Sequence, residues 1–227
     1  MCGRFTITVS NEELNEYLED HFSIGWSDHT RLPRYNIAPA QNIAALIFGK
    51  GTYRLGPMTW GIDSRHGGNP LIINARAETV SKKPLFRPLF HGRRCLILAD
   101  GFYEWKKDGK KREPYRIVRK DRSVFLMAGI YRMNERADPS ARCAILTTEA
   151  NAIVSPVHDR MPVILGPDAG KKWLDPKSEP PELTALLKPY DDDEMTAYPV
   201  STIVNQATND TKACILSIEG MRKGESI

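Results

Sequence analysis

The feature that most constrains the fold is a series of short, strand-like runs that follow one another closely along the chain. These runs are IAALIF, TYRLGPMTW, LIINARAE, RCLILAD, PYRIVRK, SVFLMAGIYR and CAILTT. They are rich in β-branched and aromatic residues and are separated by turn-forming residues, which is typical of β-strands. Helical segments do not alternate with them, as they would in a parallel βαβ sheet. The sequence therefore predicts an α+β or mainly β domain.

Helical patterns are few and short. In SNEELNEYLEDHF, Ser10 and Glu13 have the spacing of a capping box, and the residues after them form one apolar face: Leu14, Tyr17, Leu18 and Phe22. PDAGKKWLD and PPELTALLK each carry a proline near the start and predict two further short helices. TEANAIVSPV predicts another, which ends before His158 and is followed by a strand.

Length and charge limit the class of protein. A chain of 227 residues can form one domain that buries roughly 70% of its unfolded surface, and we expect that domain to span residues 1–218, with a disordered tail at 219–227. The net charge of +4 permits a polyanionic partner without requiring one. No apolar run approaches the ~20 residues of a membrane span, and no signal-peptide pattern is present. We expect a monomeric, cytoplasmic protein without a membrane partner.

The four cysteines do not form a metal or disulfide pattern. They are Cys2, Cys95, Cys143 and Cys214, and none belongs to a CxxC pair. The histidines also lack the spacing of metal ligands, and no phosphate loop or dinucleotide fingerprint is present. The sequence thus predicts neither a metal nor a cofactor. Three of the cysteines lie in apolar runs and are predicted to be core residues, whereas Cys2 has no apolar run around it.

The opening stretch, MCGRFT, gives Cys2 a special position. If Met1 is removed, Cys2 carries an α-amine and a thiol on adjacent carbons, which no internal residue offers. From the residues alone, Cys2 could be an accident of the translation start, an inert buried thiol or the reactive group of the protein.

Polar residues at the end of LIINARAE form a second candidate group. The alternation of side chains along a strand places Asn74, Arg76 and Glu78 on one side. The alternative interpretation is a strand that leaves the core at a polar edge.

A carboxylate and a histidine complete the set of candidates. Glu104 lies between Tyr103 and Trp105, and desolvation there would raise its proton affinity, as a general acid or base requires. It could equally be an exposed acid in a hairpin, because KKDGK follows. His158 stands with Asp159 and Arg160 in a loop bracketed by prolines, although a lone histidine is more often structural.

Taken together, five segments resemble the SOS response-associated peptidase (SRAP) family, whose members cross-link to abasic sites in DNA. The segments are MCGRFT, PRYNIAPAQ, INARAET, RCLILADGFYEW and HDRMPVIL. The resemblance extends to about residue 205 and implies a mixed, mainly antiparallel β core with a barrel-like sheet, surrounded by short helices. It also implies a channel for single-stranded DNA, and an association with the nucleoid if the source is bacterial.

The resemblance assigns roles to individual residues. It implies that Cys2, exposed by removal of Met1, captures the aldehyde of the abasic sugar in a thiazolidine ring, with β-elimination as a side reaction. The family's other active-site positions correspond to Asn74, Glu104 and His158. Its arginines that contact the DNA backbone correspond to Arg4, Arg76 and Arg160.

Further DNA contacts are predicted with less specific support. Pro39, Trp60 and Trp105 are candidates for stacking or wedging against bases, Trp60 being equally compatible with core packing. Arg87 is a further candidate for a phosphate contact. The segment after Trp60, GIDSRHGGNP, is shorter than the usual loop of the family and lacks its second tryptophan, which affects how bases are contacted.

Two other functions stay open at this point. One is a thiol peptidase that uses Cys2 and His158 and that, in its narrowest form, acts only on Met1 of its own chain. The other is a non-catalytic reader of single-stranded or modified DNA that uses the same arginines.

Overall fold

The computed structural model describes residues 2–25, 32–63, 71–133 and 141–218. In these ranges the strands are β1 (Phe5–Ile7), β2 (Arg34–Ile37), β3 (Asn42–Gly49), β4 (Thr52–Trp60), β5 (Asn74–Arg76), β6 (Arg94–Ala99), β7 (Gly101–Asp108), β8 (Lys111–Arg119), β9 (Phe125–Met133), β10 (Ala141–Glu149), β11 (Arg160–Pro162), β12 (Ile164–Leu165) and β13 (Met195–Pro199). The α-helices are α1 (Asn11–Phe22), α2 (Ala77–Val80), α3 (Arg87–Gly92), α4 (Pro167–Leu174) and α5 (Pro180–Ala185). The predicted tail at 219–227 and residues 64–70 of the loop after Trp60 lie outside the described residues.

The mixed α+β class predicted from the strand-like runs is confirmed. Two sheets dominate the described chain, and nearly all neighbouring strands in them are antiparallel. Within the described residues, no helix is long and apolar enough to cross a membrane.

Helix α1 follows the sequence pattern closely. The Ser10 side chain accepts from the backbone N–H of Glu13, and the Glu13 carboxylate accepts from the backbone N–H of Ser10. This capping box supplies partners for N–H groups that a helix start leaves unpaired. Leu14, Leu18 and Phe22 are buried, as the apolar face predicts.

Two segments differ from the predicted elements. The strand predicted for LIINARAE is only β5, because the chain turns into the short helix α2 at Ala77, so Glu78 lies on that helix and not on the strand. The helix predicted before His158 is a succession of turns over residues 152–157. Pro156 lacks a backbone N–H, so a regular helix cannot continue through this position.

The larger sheet closes into a five-stranded barrel. Its strands pair in the order β10–β4–β3–β6–β9, and β9 pairs back onto β10. Closure removes open sheet edges, and the inward-facing apolar side chains form the main core. The barrel-like sheet predicted from the family resemblance is therefore present.

Strand β10 continues beyond the barrel and carries two short strands at its carboxyl-terminal half. β5 lies parallel to it, with Asn74 opposite Ile145, and β11 lies antiparallel to it, with Arg160 opposite Glu149. The polar ends of both short strands are thus brought to the same end of β10.

The smaller sheet, in the order β13–β8–β7–β1–β2, brings the start of the chain to the barrel. Phe5 in β1 packs edge-on against Trp60 in β4, with ring centroids 5.2 Å apart. Phe5 pairs with Phe102 of β7, and the backbone N–H of Tyr103 donates to the carbonyl of Arg4 at 2.9 Å. This register places the first residues of the chain beside Glu104.

Candidate active site

Cys2 and Asn74 are joined by a hydrogen bond across 72 residues of sequence. The Nδ2 atom of Asn74 donates to the backbone carbonyl oxygen of Cys2 at 2.8 Å. Because a carbonyl oxygen can only accept, this bond fixes the orientation of the Asn74 amide. Within the described residues, Oδ1 of Asn74 is buried and has no hydrogen-bond partner. The side chain therefore holds the start of the chain and offers a desolvated acceptor beside it.

Glu104 and His158 form the second half of the site. Glu104 is buried in β7, with 3% of its surface exposed, and its Oε2 atom lies 3.9 Å from Nε2 of His158. His158 is positioned by the turns that precede it, since its backbone N–H donates to the carbonyl of Val154 at 2.9 Å.

The contacts of the His158 ring indicate where its proton lies. The backbone N–H of Arg160 donates to Nδ1 at 3.0 Å, so Nδ1 bears a lone pair and the proton of the neutral ring is assigned to Nε2, which faces Glu104. Asp159 also lies 2.9 Å from Nδ1, a contact that favours the charged ring. Burial outweighs it and lowers the pKa of His158, so we expect the neutral form at pH 7.

The electrostatics of Glu104 suit proton transfer. Burial raises the pKa of its carboxyl group to about 7, and the positive charge at the N-terminus of the chain opposes this shift. A group with such a pKa exists in both protonation states near neutral pH, so it can donate or accept a proton.

The Cys2 thiol is buried and is not activated. Cys2 is 0% exposed, like the three cysteines that the sequence assigned to the core. Burial, followed by the charge of Glu104, raises the pKa of the thiol well above its ordinary value. A low-pKa thiolate of the kind found in reactive cysteines is therefore absent from this position.

The predicted arginines differ in their availability. Arg76 is exposed and makes no hydrogen bond or ion pair with another described residue. Arg160 is held in a two-pronged ion pair, its Nη1 lying 2.5 Å and its Nη2 3.0 Å from the carboxylate oxygens of Glu78. Nη2 also donates to the carbonyl of Thr147 at 2.6 Å.

Arg4 is predicted to contact a DNA phosphate, but its guanidinium is already hydrogen-bonded within the protein. Its Nη1 donates to Oδ1 of Asn36 at 2.6 Å and to the carbonyl of Val204 at 2.7 Å, which uses both hydrogens of that nitrogen. The guanidinium also lies over the Trp105 ring, 5.9 Å from its centroid. These contacts indicate that Arg4 ties β1 to the 202–205 turn.

The remaining residues predicted to contact DNA differ in exposure and in their location in the fold. Trp60 is 0% exposed, and its Nε1 donates to the carbonyl of Ile73 at 3.0 Å, so the stacking prediction is wrong and the core-packing alternative holds. Trp105 is half-buried and donates from Nε1 to Oδ1 of Asn205 at 2.7 Å. Pro39 is half-buried in the turn between β2 and β3. Arg87 is exposed at the start of α3, which packs against β6 and β9, and neither strand carries one of the four candidate active-site residues.

Metal ligation has no support in the described chain. Over residues 2–25, 32–63, 71–133 and 141–218, no three His, Cys, Asp or Glu side chains come together as metal ligands.

A comparison with known protein families identifies the family to which the chain belongs. The SOS response associated peptidase (SRAP) family matches residues 1–207 of the chain. The protein belongs to this family. The four residues that the resemblance singled out, Cys2, Asn74, Glu104 and His158, all lie within the matched range.

Curated SRAP relatives share most of their length with this chain. It is 42% identical to the abasic site processing protein YoaM of Bacillus subtilis over 222 residues, covering 93% of this chain and 96% of YoaM. Identity to the abasic site processing protein YedK of Escherichia coli is 34%, covering 77% of this chain and 79% of YedK. The Xenopus tropicalis protein HMCES, which has the same description, is 29% identical over 96% of this chain and 78% of its own length.

Solved structures show the same fold. A crystal structure of a protein from Bacteroides thetaiotaomicron superposes with a TM-score of 0.80 at 24% identity, covering 95% of this chain and all of the other. A phage-related protein from Bordetella bronchiseptica superposes with a TM-score of 0.71 at 28% identity, covering 88% and 95% of the two chains.

Sequence reasoning missed Asn36, which joins Arg4 to the C-terminal segment. Asn36 is 1% exposed; its Oδ1 accepts from Arg4, and its Nδ2 donates to the carbonyl groups of Gln206 and Asn209, with the carbonyl of Val204 slightly farther away at 3.2 Å. The available signal was a polar residue in the middle of the strand-like stretch RYNIA, where burial requires hydrogen-bond partners.

Proposed function

We propose that this protein recognises abasic sites in single-stranded DNA and binds them covalently through Cys2, after removal of Met1. The observation that carries the proposal is the convergence of Asn74, Glu104 and His158 on the start of the chain. The names of the SRAP relatives, abasic site processing proteins, support the choice of substrate.

The proposed reaction uses the amine before the thiol. The Cys2 amine, with a reference pKa of roughly 7.7–8.0, adds to the aldehyde carbon of the ring-opened abasic sugar, and loss of water gives an imine. The imine nitrogen would then take a proton from Glu104, the thiol sulfur would bond to the imine carbon, and the thiol proton would pass back to Glu104. The product is a five-membered thiazolidine ring, and one water molecule is released.

The buried thiol fits this order of steps. With its raised pKa, the Cys2 thiol is a poor attacking group by itself. Once a protonated imine forms two carbons away, its positive charge favours the thiolate, and Glu104 would accept the thiol proton. Glu104 suits both transfers because its pKa of about 7 lets it give a proton to the imine and take one from the thiol.

His158 and Asn74 take complementary roles in the proposal. The Nε2–H of His158 would protonate the ring oxygen of the abasic sugar and help the ring to open. Asn74 would accept a hydrogen bond through its buried Oδ1 from the amine or from the hydroxyl group of the addition product, while Nδ2 keeps the Cys2 carbonyl in place.

The residues that the sequence predicts as DNA contacts differ in how freely they could reach the strand. Arg76 is the most available phosphate donor, and Arg160 can reach a phosphate if Glu78 gives up part of its ion pair. Trp105 and Pro39 remain candidates for base contacts. In a bacterial cell this activity would act at the nucleoid.

A lyase side reaction and a thiol peptidase activity are two other reactions to weigh for the Cys2 site. An imine at the abasic sugar acidifies the adjacent C–H, so β-elimination is a proposed side reaction. A thiol peptidase would need the Cys2 thiol paired with His158, whereas the contact of Sγ is with the carbonyl of Arg4 at 3.9 Å and its pKa is raised. The geometry therefore favours the amine-first route over peptidase chemistry.

The test is a denaturing gel of the protein incubated with single-stranded DNA that carries one abasic site. We expect a shifted band with the wild-type protein, none with intact DNA of the same sequence, and none that survives heating with Cys2→Ser. Absence of the band with wild type would reject the proposal. An equally stable band with Cys2→Ser would reject the thiazolidine.

A further inference from the structure

The tip of the β7–β8 hairpin carries an unusual concentration of positive charge. We call residues 106–113 the basic hairpin; its cations are Lys106, Lys107, Lys110, Lys111 and Arg112, and its acids are Asp108 and Glu113. The net charge of this eight-residue stretch is +3, against +4 for the whole chain. All five cations are exposed, and none forms a hydrogen bond or ion pair from its side chain within the described residues.

Two of the three charged pairs at the hairpin tip are favourable, since Lys106 lies opposite Glu113 and Asp108 lies opposite Lys111. The pair between them opposes hairpin stability, because Lys107 lies directly opposite Arg112. Like charges at opposed positions of an antiparallel pair are destabilising, and a stretch selected only for stability would have opposite charges there. The repulsion falls if an anion lies between the two side chains, which suggests that the hairpin has an anionic partner.

The basic hairpin is a direct extension of the candidate active site. Strand β7 carries Glu104 into the site, then Trp105, and then the cations. Three further residue pairs, at about 3.4 Å each, carry the hairpin roughly 10 Å beyond Trp105. The charge of Lys107 still reaches the site, since it contributes to the lowered pKa of His158, after the larger effect of burial.

We propose that the basic hairpin binds phosphate groups of the single-stranded DNA on one side of the lesion, with Lys107 and Arg112 gripping the same stretch of backbone. This inference rests on the proposed function for the identity of the strand. The tip has no large apolar side chain to hold an apolar partner, and the five exposed cations within residues 106–112 suit a polyanionic strand.

The basic hairpin would raise the affinity for single-stranded DNA and would take no part in the bond-forming steps. Phosphate contacts from lysine and arginine carry little sequence information and make binding salt-dependent. The hairpin would therefore hold the strand in register, so that the abasic sugar lies between Cys2 and His158.

The first test compares two triple variants. Lys107→Gln/Lys111→Gln/Arg112→Gln removes hairpin charge, and Lys50→Gln/Lys177→Gln/Lys188→Gln removes the same charge from exposed positions elsewhere. Binding of an undamaged, labelled single-stranded oligonucleotide is measured by fluorescence anisotropy at several salt concentrations. We expect the hairpin variant to bind more weakly and its salt slope to be less steep by about 0.7 for each phosphate that the hairpin no longer neutralises.

The two proposals can fail separately in this experiment. Because the oligonucleotide is undamaged, its binding reports on the hairpin even if wild-type protein forms no cross-link. Equal affinities and equal salt slopes for the two triple variants would overturn the role of the hairpin. A wild-type protein that shows the expected slope but no cross-link would reject the proposed chemistry alone.

A single substitution separates binding from folding. Arg112→Glu places a carboxylate opposite Lys107 and replaces the like-charge pair with an opposite-charge pair. We expect an unchanged or higher Tm together with weaker DNA binding than wild type. A lower Tm with unchanged binding would overturn the proposal, since the hairpin cations would then be serving the fold.

Discussion

The amide of Asn74 donates a 2.8 Å hydrogen bond to the backbone carbonyl of Cys2, and so ties strand β5 to the start of the chain. Two elements far apart in sequence thereby fix the position of one residue. The relationship explains how a chain terminus, normally the most mobile part of a protein, can take part in an ordered site.

Replacing Asn74 tests this relationship. In Asn74→Asp an acceptor oxygen faces the Cys2 carbonyl in place of the donor, and the two repel each other. We expect the rate of cross-linking to abasic DNA to fall about tenfold or more, because an unpaired buried carbonyl costs about 1–3 kcal/mol. Rates are measured by quenched time courses on denaturing gels. Asn11→Asp, at an exposed position on α1, is the matched control; equal rates in the two variants would contradict the positioning role.

Glu104 should make stability depend on pH in a defined direction. Its pKa in the folded protein, about 7, is above the reference value of 4.5, so the folded state holds the proton more tightly. This contribution to the free energy of unfolding is fully present below pH 4.5 and is lost as the pH rises through 7. Compared with Glu104→Gln, wild type should lose on the order of 3 kcal/mol between these limits. Urea unfolding across this range measures the difference, and a difference that does not vary with pH would contradict the assignment.

The ion pair of Arg160 with Glu78 should compete with DNA. Glu78→Gln removes a carboxylate and releases the Arg160 guanidinium, so undamaged single-stranded DNA should bind about two- to fivefold more tightly, as expected for loss of a partly exposed pair. Hydrogen bonding from Arg160 lowers the pKa of Glu78, so acidification opens the pair only below the ordinary range of a carboxyl group. Glu194→Gln, which breaks the Arg119 pair, is the control. The same change in both variants would argue against a specific role for Arg160.

We expect the buried ion pair of Asp100 and Arg116 to stabilise the folded state and to have no role in the reaction. Their side chains are 3% and 6% exposed and lie 3.1 Å apart, and Asp100 also accepts from the Thr8 backbone and side chain. Asp100→Asn leaves a buried guanidinium without its counter-charge, which we expect to cost about 3–5 kcal/mol in urea unfolding. Asp121→Asn, at an exposed ion pair, should cost less than about 1 kcal/mol. Similar losses in the two variants would contradict the importance of burial.

Local sequence patterns predicted local structure well. The capping box at Ser10, the apolar face of α1 and the prolines at the starts of α4 and α5 all involve neighbours within one or two turns. The family resemblance, carried by short motifs, supplied the barrel and the four candidate active-site residues.

Long-range packing could not be read from the sequence. The burial of Trp60 depends on Phe5, 55 residues earlier, and the tether role of Arg4 depends on a turn 200 residues later. The burial of Cys2 likewise results from strand pairing and not from apolar neighbours in the chain. The end of β5 at Arg76 was missed because Ala, Glu and Thr after it are compatible with either helix or strand at this length.

The central claim is that the amine of Cys2, and not its thiol alone, captures the abasic site. The most direct test inserts one alanine between Met1 and Cys2, so that removal of Met1 leaves the cysteine thiol intact but its nitrogen in a peptide bond. Intact mass confirms the N-terminus of each protein, and both are incubated with abasic single-stranded DNA. We predict a heat-stable cross-link only for the protein that begins at Cys2. Equal yields from the two proteins would contradict this account.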